Sequence, residues 1–160
     1  DHLPFCRRAG LGLIVYSPLA QGVLTNKYAG GAKPEGSRAT SKFAHFLTAE
    51  KALTPENVAA AERFAAWVAA NGLPGPARVA LAWVLRHAEV SSAIIGATSI
   101  AQLEENAKAV DLKLDAAQAR GAEAAIAGRA GRSRGAGAAK RMAKRPAKPR
   151  AAGRRTRRGR

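Results

Sequence analysis

Apolar positions fall into short runs and one-sided stripes over the first four-fifths of the chain, and almost vanish from the last fifth. Residues 2–9 are too short a stretch to assign beyond the end of a helix. Leu11-Gly12-Leu13-Ile14-Val15-Tyr16 is apolar at nearly every position and partly β-branched. Such a run, apolar on both faces, predicts a parallel strand buried between layers, ended by Pro18. Residues 20–53 carry Gly30, Gly31, Pro34 and Gly36 and show no sustained period. They read as one long loop, which in a compact domain is usually functional or mobile.

Thr54-Pro55-Glu56 predicts a helix start: a cap, a proline at the first helical position, and an acid at the positive dipole end. That helix runs to about Ala70, where Asn71-Gly72 closes it, and Val58, Ala61, Ala65 and Val68 form its apolar stripe. A second helix starts near Pro76 and runs to about His87. Val79, Leu81, Trp83, Val84 and Leu85 wrap most of its circumference, so it is expected to be well buried. Residues 92–96 predict a second short strand. Ser99 and Gln102 then have the spacing of a capping box, and Ile100, Leu103, Ala107 and Val110 share one face of the helix they open. Leu112, Leu114 and Ile126 mark a weaker final helix. Strand, helices, strand, helix is the order of a parallel α/β arrangement. Two strands, however, do not make an independent parallel sheet covered on both faces. The body therefore reads as a piece of a larger α/β fold, with strand edges and apolar faces left open.

Charge divides the chain. Of its 160 residues, 27 are Lys or Arg and 11 are Asp or Glu, for a net charge of +16. Arg129 to Arg160 holds 14 of the basic residues and no acid, so residues 1–128 carry a net charge of only +2. The tail has Met142 as its one sizeable apolar side chain and is expected to be disordered. With Lys144-Arg145-Pro146-Ala147-Lys148-Pro149-Arg150 it looks like a linker-histone tail, which would bind nucleic acid non-specifically by neutralising phosphates. No aromatic residues interleave to stack on bases. An extension rich in Arg, Ala, Gly and Pro is also what GC-rich DNA yields when read through or out of frame.

Other classes are set aside on simpler grounds. No apolar run approaches the roughly 18 residues of a membrane-spanning helix, so no membrane partner is expected. Residues 1–8 lack the apolar core of a secretory signal. A single Cys6 permits no internal disulfide, which fits a reducing, cytoplasmic compartment. Three His and one Cys without close spacing assemble no metal site. The chain starts without Met and is read as processed or truncated.

Three motifs occur in order: the segment from Gly12 to Tyr28 containing SPLAQG, Ala80 to Leu85, and Ile94 to Ser99 followed by Gln102-Leu103-Glu104-Glu105-Asn106. Together they resemble the C-terminal part of the aldo-keto reductases, most closely the branch of the potassium-channel β subunits and bacterial relatives. The resemblance covers roughly residues 3–126. It divides the chain into a partial reductase domain, 1–127, and the basic tail, 128–160. It implies a (β/α)8 barrel with NADP(H) across the C-terminal ends of its strands, where residues 11–17 match strand seven and 92–96 strand eight. In such barrels the loops after these strands often hold phosphate.

The resemblance also implies residue roles. Tyr16 matches the aromatic that stacks on the nicotinamide, orienting it for hydride transfer; its plainer reading is a core aromatic at a strand end. Ser17, Pro18, Leu19 and Gly22 match the lining of the pyrophosphate, where small side chains let backbone amides approach an anion. Lys27 and Arg38 match the basic residues that hold the phosphates from a long loop folding over the cofactor. Gly96, Thr98, Gln102, Glu105 and Asn106 match the adenosine end. Gly96-Ala97 leads into a helix N-terminus, which favours phosphate. Gln102 and Asn106 lie one turn apart, so both can reach the adenine edge, although a capping box with Ser99 competes for Gln102. Many relatives place Arg or Ser at the Thr98 position, near the 2′-phosphate. Preference for NADP(H) over NAD(H) therefore rests on the resemblance alone.

Family members reduce carbonyls with a Tyr proton donor assisted by Asp, Lys and His, all upstream of the motifs present here. Lys27, Tyr28 and His87 lie in other motifs, so no catalytic residue is assigned, and a small carbonyl substrate belongs to a complete barrel. The expectation is a truncated NADP(H)-dependent reductase that binds cofactor weakly and is inactive alone. A nucleic-acid-associated protein acting through the tail is the alternative. A non-enzymatic module like the channel subunits is a third, for which no residue specifies a partner.

Overall fold

The structure is a computed structural model that describes residues 2–49 and 52–128. The basic tail, with its expected disorder and nucleic-acid binding, lies outside the described residues. In chain order the elements are α1 (His2–Ala9), β1 (Leu13–Val15), 3-10 turns at Ala20–Thr25, Ala29–Gly31 and Arg38–Thr40, and α2 (Ala44–Ala49). There follow α3 (Pro55–Ala70), α4 (Pro76–Leu85), β2 (Val90–Ala93), α5 (Ile100–Ala107), a 3-10 turn at Lys108–Asp111, and α6 (Ala116–Ile126).

The helix starts obey their local signals. Thr54 Oγ1 accepts from the Asn57 amide at 3.2 Å, and Ser99 Oγ from the Gln102 amide at 3.2 Å. A complete capping box opens α6: the Gln118 amide donates to Asp115 Oδ1, and the Asp115 amide donates to Gln118 Oε1. Helix α4 ends two residues short of His87, because Arg86 turns its guanidinium back onto the Trp83 carbonyl and closes the last turn. The stretch 20–53 is not one loop. Its 3-10 turns and short α2 close on themselves within a few residues, leaving no apolar period to read.

Strands β1 and β2 pair in parallel, with Leu13 opposite Val90 and Val15 opposite Ala93. β2 begins and ends earlier than the apolar run 92–96 suggests. The ladder is set by its partner: Ile94 donates to the Val15 carbonyl, and beyond it Ser17 turns into the left-handed region. Burial of β1 on both faces is corrected as well. Leu13 and Val15 are half-buried, whereas Ile14 is 69% exposed and Tyr16 78%. Two strands receive helices on one side only, and nothing among the described residues covers the other.

The main core instead lies between helices. Phe64 and Val68 of α3, Val79 and Ala80 of α4 and Ala122 of α6 are buried together, with Leu19, Leu24, Trp67, Leu73, Trp83, Leu112 and Leu114 packed around them. A second cluster, Val23, Tyr28, Leu47 and Ala61, seats the 20–47 segment on α3. Gly121 allows α6 to reach α3: a Cβ there would lie 2.6 Å from Cζ2 of Trp67. Gly→Ala inside a helix ordinarily stabilises by about 0.5–1 kcal/mol. At Gly121 the sign is expected to reverse, to a net loss of about 1–3 kcal/mol, because a packed indole cannot yield the space. Urea unfolding of Gly121→Ala checks it; a raised midpoint would show that the indole moves freely.

Arg7 of α1 donates to Glu89 just before β2, where the carboxylate is buried and its Oε2 has no hydrogen-bond partner. The Arg7 hydrogen bond, followed by the residue's own backbone amide, holds Glu89 below the usual carboxylate range. A depressed folded-state pKa contributes stability above the unfolded value and loses it as pH falls through the folded one. Native chain is therefore expected to lose more stability than Glu89→Gln on acidification below the ordinary carboxylate range. Denaturation midpoints of both proteins against pH measure this; parallel curves would remove the ion pair as the cause.

Candidate functional site

Both segments singled out in the sequence leave the sheet from the C-terminal ends of neighbouring parallel strands. That end of a parallel α/β sheet is where ligands bind as a rule. On the first strand, Tyr16 follows β1 with its ring open to solvent. Ser17, φ 51°, begins a strained stretch in which Ala20 (47°), Gln21 (57°), Gly22 (92°) and Asn26 (63°) also take the left-handed region. Ser17 Oγ accepts from Gln21 Nε2 at 2.9 Å, which leaves its own hydrogen to donate elsewhere. Pro18 and Leu19 are half-buried, and Leu19 anchors the stretch to the main core.

Gly22 shapes the turn and gives room to Lys27. Its amide donates to the Leu19 carbonyl at 2.9 Å and so is spent on the turn. The space of the missing side chain is taken by Lys27: a Cβ would stand 2.9 Å from Lys27 Cε and 3.0 Å from Nζ. The ammonium lies 5.3 Å from the centroid of the Tyr28 ring. Partial burial and the nearby positive charge of Arg38, in that order, push the Lys27 pKa down. The structure thus brings Lys27 and Arg38, eleven positions apart, into one electrostatic neighbourhood. Among the described residues neither has an acidic partner; the ion pairs there use Arg7, Arg78, Arg86 and Lys108. Two like charges without an acidic partner among the described residues make a local positive potential that an anion would relieve.

Sequence reasoning missed three residues beside these cations. Asn26 Oδ1, Tyr28 OH and Ser37 Oγ are buried with no hydrogen-bond partner among the described residues. Tyr28 is 1% exposed and Ser37 6%. Buried polar atoms left unpaired cost free energy and ask for a reason. The only signal in the sequence is adjacency to Lys27 and Arg38.

At the second strand, Gly96 and Thr98 lie exposed on the segment from β2 to α5. A Cβ at Gly96 would meet nothing within 4 Å, so the room it leaves faces outward. Gln102 is shared between the two roles weighed for it. Its backbone amide caps on Ser99, but its side chain turns to Thr98, whose amide and hydroxyl donate to Oε1 at 3.0 and 3.1 Å. The side-chain half of the Ser99 capping box is therefore replaced by a bond one residue earlier. Glu105 accepts two bonds from Arg78 Nη2, at 2.5 and 2.6 Å, and keeps 44% of its side chain exposed. The hydrogen bond from Arg78 is the main cause that holds Glu105 below the usual carboxylate range, with Lys108 adding to it. Asn106, one turn after the exposed Gln102, lines a cavity of ≈ 210 Å³ with Leu81, Ser92, Ile95 and Val110. Among the described residues no group of His, Cys, Asp and Glu is placed to hold a metal, and no helix is long and apolar enough to cross a membrane.

The family model described as "Aldo/keto reductase family" matches residues 1–127. The chain belongs to the aldo/keto reductase family. It is similar to a putative voltage-gated potassium channel subunit beta of Schizosaccharomyces pombe, 38% identical over 115 residues that are 69% of this chain and 32% of that protein. It is similar to Protein tas of Escherichia coli, 41% identical over 105 residues, 66% of this chain and 29% of that protein. L-glyceraldehyde 3-phosphate reductase of Escherichia coli O157:H7 is 36% identical over 106 residues, 64% of this chain and 29% of its own length. The chain thus spans about a third of the length of the curated relatives it matches. Aldo/keto reductases are (β/α)8 barrels that use a nicotinamide nucleotide. The described residues of this family member form two adjacent parallel strands with their helices, open on one face.

Proposed function

We propose that β1 and β2 are the seventh and eighth strands of an aldo/keto reductase barrel, and that this chain is the NADP(H)-holding part of a cytoplasmic carbonyl reductase. The observation that carries the reading is Lys27, packed over Gly22 and within electrostatic reach of Arg38, with no acidic partner for either among the described residues. Phosphate fits such a site on charge, and the unpaired Tyr28 and Ser37 hydroxyls offer further donors close by in the chain.

In this reading domain 1–127 works by orientation. Lys27 and Arg38 hold the phosphates, with Ser17, Pro18, Leu19 and Gly22 shaping their floor. Tyr16, exposed to solvent, would stack on the nicotinamide. Gly96, Thr98, Gln102, Glu105 and Asn106 take the adenosine end. The bound nucleotide supplies the hydride for reduction of a small carbonyl compound. No residue of this chain is assigned as proton donor, so carbonyl reduction needs groups from the rest of a barrel.

Titration of the isotope-labelled chain with NADPH, followed by amide chemical shifts, tests this. Expected are saturable shifts at Tyr16, Lys27, Arg38 and Gln102 at weak affinity, reversed by 2′,5′-ADP, and no aldehyde-dependent oxidation of NADPH. Absence of shifts at millimolar NADPH would overturn the cofactor role. Robust aldehyde reduction by this chain would overturn the division of labour.

A further inference from the structure

Two contacts at the start of α5 fix which of its polar groups donate and which accept. The Thr98 backbone amide can only donate, so the oxygen of Gln102 is the atom it meets, and the Gln102 NH2 points away as a donor. The Thr98 hydroxyl donates to the same oxygen and reinforces this orientation. Three residues on, Glu105 is chelated from α4 by Arg78, which is 21% exposed. Residues at this spacing are neighbours on one helix face. An ionised carboxylate is acceptor-only, with lone pairs remaining after two bonds, and 44% of this side chain stays open.

Adenine presents the matching polarity. Its 6-amino group donates and the ring nitrogens beside it accept, whereas a 6-oxo purine puts an acceptor where the amino group was. We infer that Arg78 is a positioning residue that, by clamping Glu105 as an acceptor beside the donor Gln102, makes α5 select adenine over a 6-oxo purine. The inference rests on the cofactor reading above. It goes beyond that reading because Arg78 belongs to none of the motifs carrying the resemblance, lies on another helix, and is given no contact with the nucleotide in it. Among the described residues Arg78 Nε is buried without a hydrogen-bond partner, so no second bond through that nitrogen holds the guanidinium.

The test compares two probes on the full chain: 2′,5′-ADP and its hypoxanthine counterpart, titrated by amide chemical shifts. The native chain is expected to bind the adenine form about tenfold more tightly, the equivalent of one charge-assisted hydrogen bond. Arg78→Gln is expected to reduce that preference to within about twofold, chiefly by weakening the adenine form, while Arg78→Lys keeps a point charge and restores part of it. A merely structural role would weaken both probes alike and leave the ratio unchanged. Circular dichroism identifies any variant that fails to fold; if Arg78→Gln does, Arg78→Lys alone must still lower the ratio. A folded variant with the native ratio overturns the inference and leaves the cofactor reading standing. A native chain that binds neither probe overturns both.

Discussion

Phe64→Ala is expected to cost about 3–5 kcal/mol and to leave the chain largely unfolded at room temperature. Phe64 is 1% exposed and sits where α3, α4 and α6 meet, against Val68, Val79, Ala80 and Ala122. Its ring stacks at 14° on Trp67, the residue that also receives Gly121 of α6. Truncation would open a cavity that these neighbours cannot fill, because Ala80 and Ala122 are already small and Gly121 has no side chain. The two-stranded sheet gives little independent support, since its outer face is open. Leu19 and Leu24 pack on the same cluster, so the loss should spread to the Ser17–Lys27 segment and weaken NADPH binding without touching it. Urea denaturation followed by Trp fluorescence measures the effect. An unchanged midpoint would place the cooperative core elsewhere.

Lys27→Ala and Arg38→Ala should each weaken NADPH binding by about tenfold or more, the size of a lost charge-assisted hydrogen bond. Stability should hardly fall, and the Lys27 variant removes a cation held next to another cation. Affinity in the native chain should drop with added salt, because Lys27 is exposed and Arg38 only half-buried. pH provides a second readout. The free-state pKa of Lys27 is depressed, and a bound phosphate would raise it again. Binding therefore takes up a proton on the alkaline side, and affinity should fall as pH rises through the depressed value. In Lys27→Ala that decline should flatten. Equal dissociation constants for native and both variants would show that the phosphates lie elsewhere.

Sequence was most informative where a structural cause lies within one helical turn. Thr54, Pro55 and Ser99 set the starts of α3 and α5, and Asn71-Gly72 the end of α3, because a cap is a bond between residues three or four apart. The Asp115–Gln118 box was equally legible but stands in an Ala-rich stretch whose weak apolar stripe draws the eye elsewhere. Motif order alone was enough to bring the family into view. Segment 20–53 was illegible because 3-10 turns impose no repeating apolar face.

Only the tertiary structure decided which groups meet. Ile14 and Val15 look equally buried as text; the number of layers over the sheet separates them, and no local pattern records that number. That Gly22 gives room to Lys27 depends on a close approach across the turn. Glu105 was named for its motif, yet the group that holds its carboxylate is Arg78, 27 residues earlier on another helix. Local order follows from bonds that close short rings, whose partners are fixed by spacing. Contacts such as Arg78–Glu105 close long loops, and packing of the intervening helices alone determines whether the two ends arrive together.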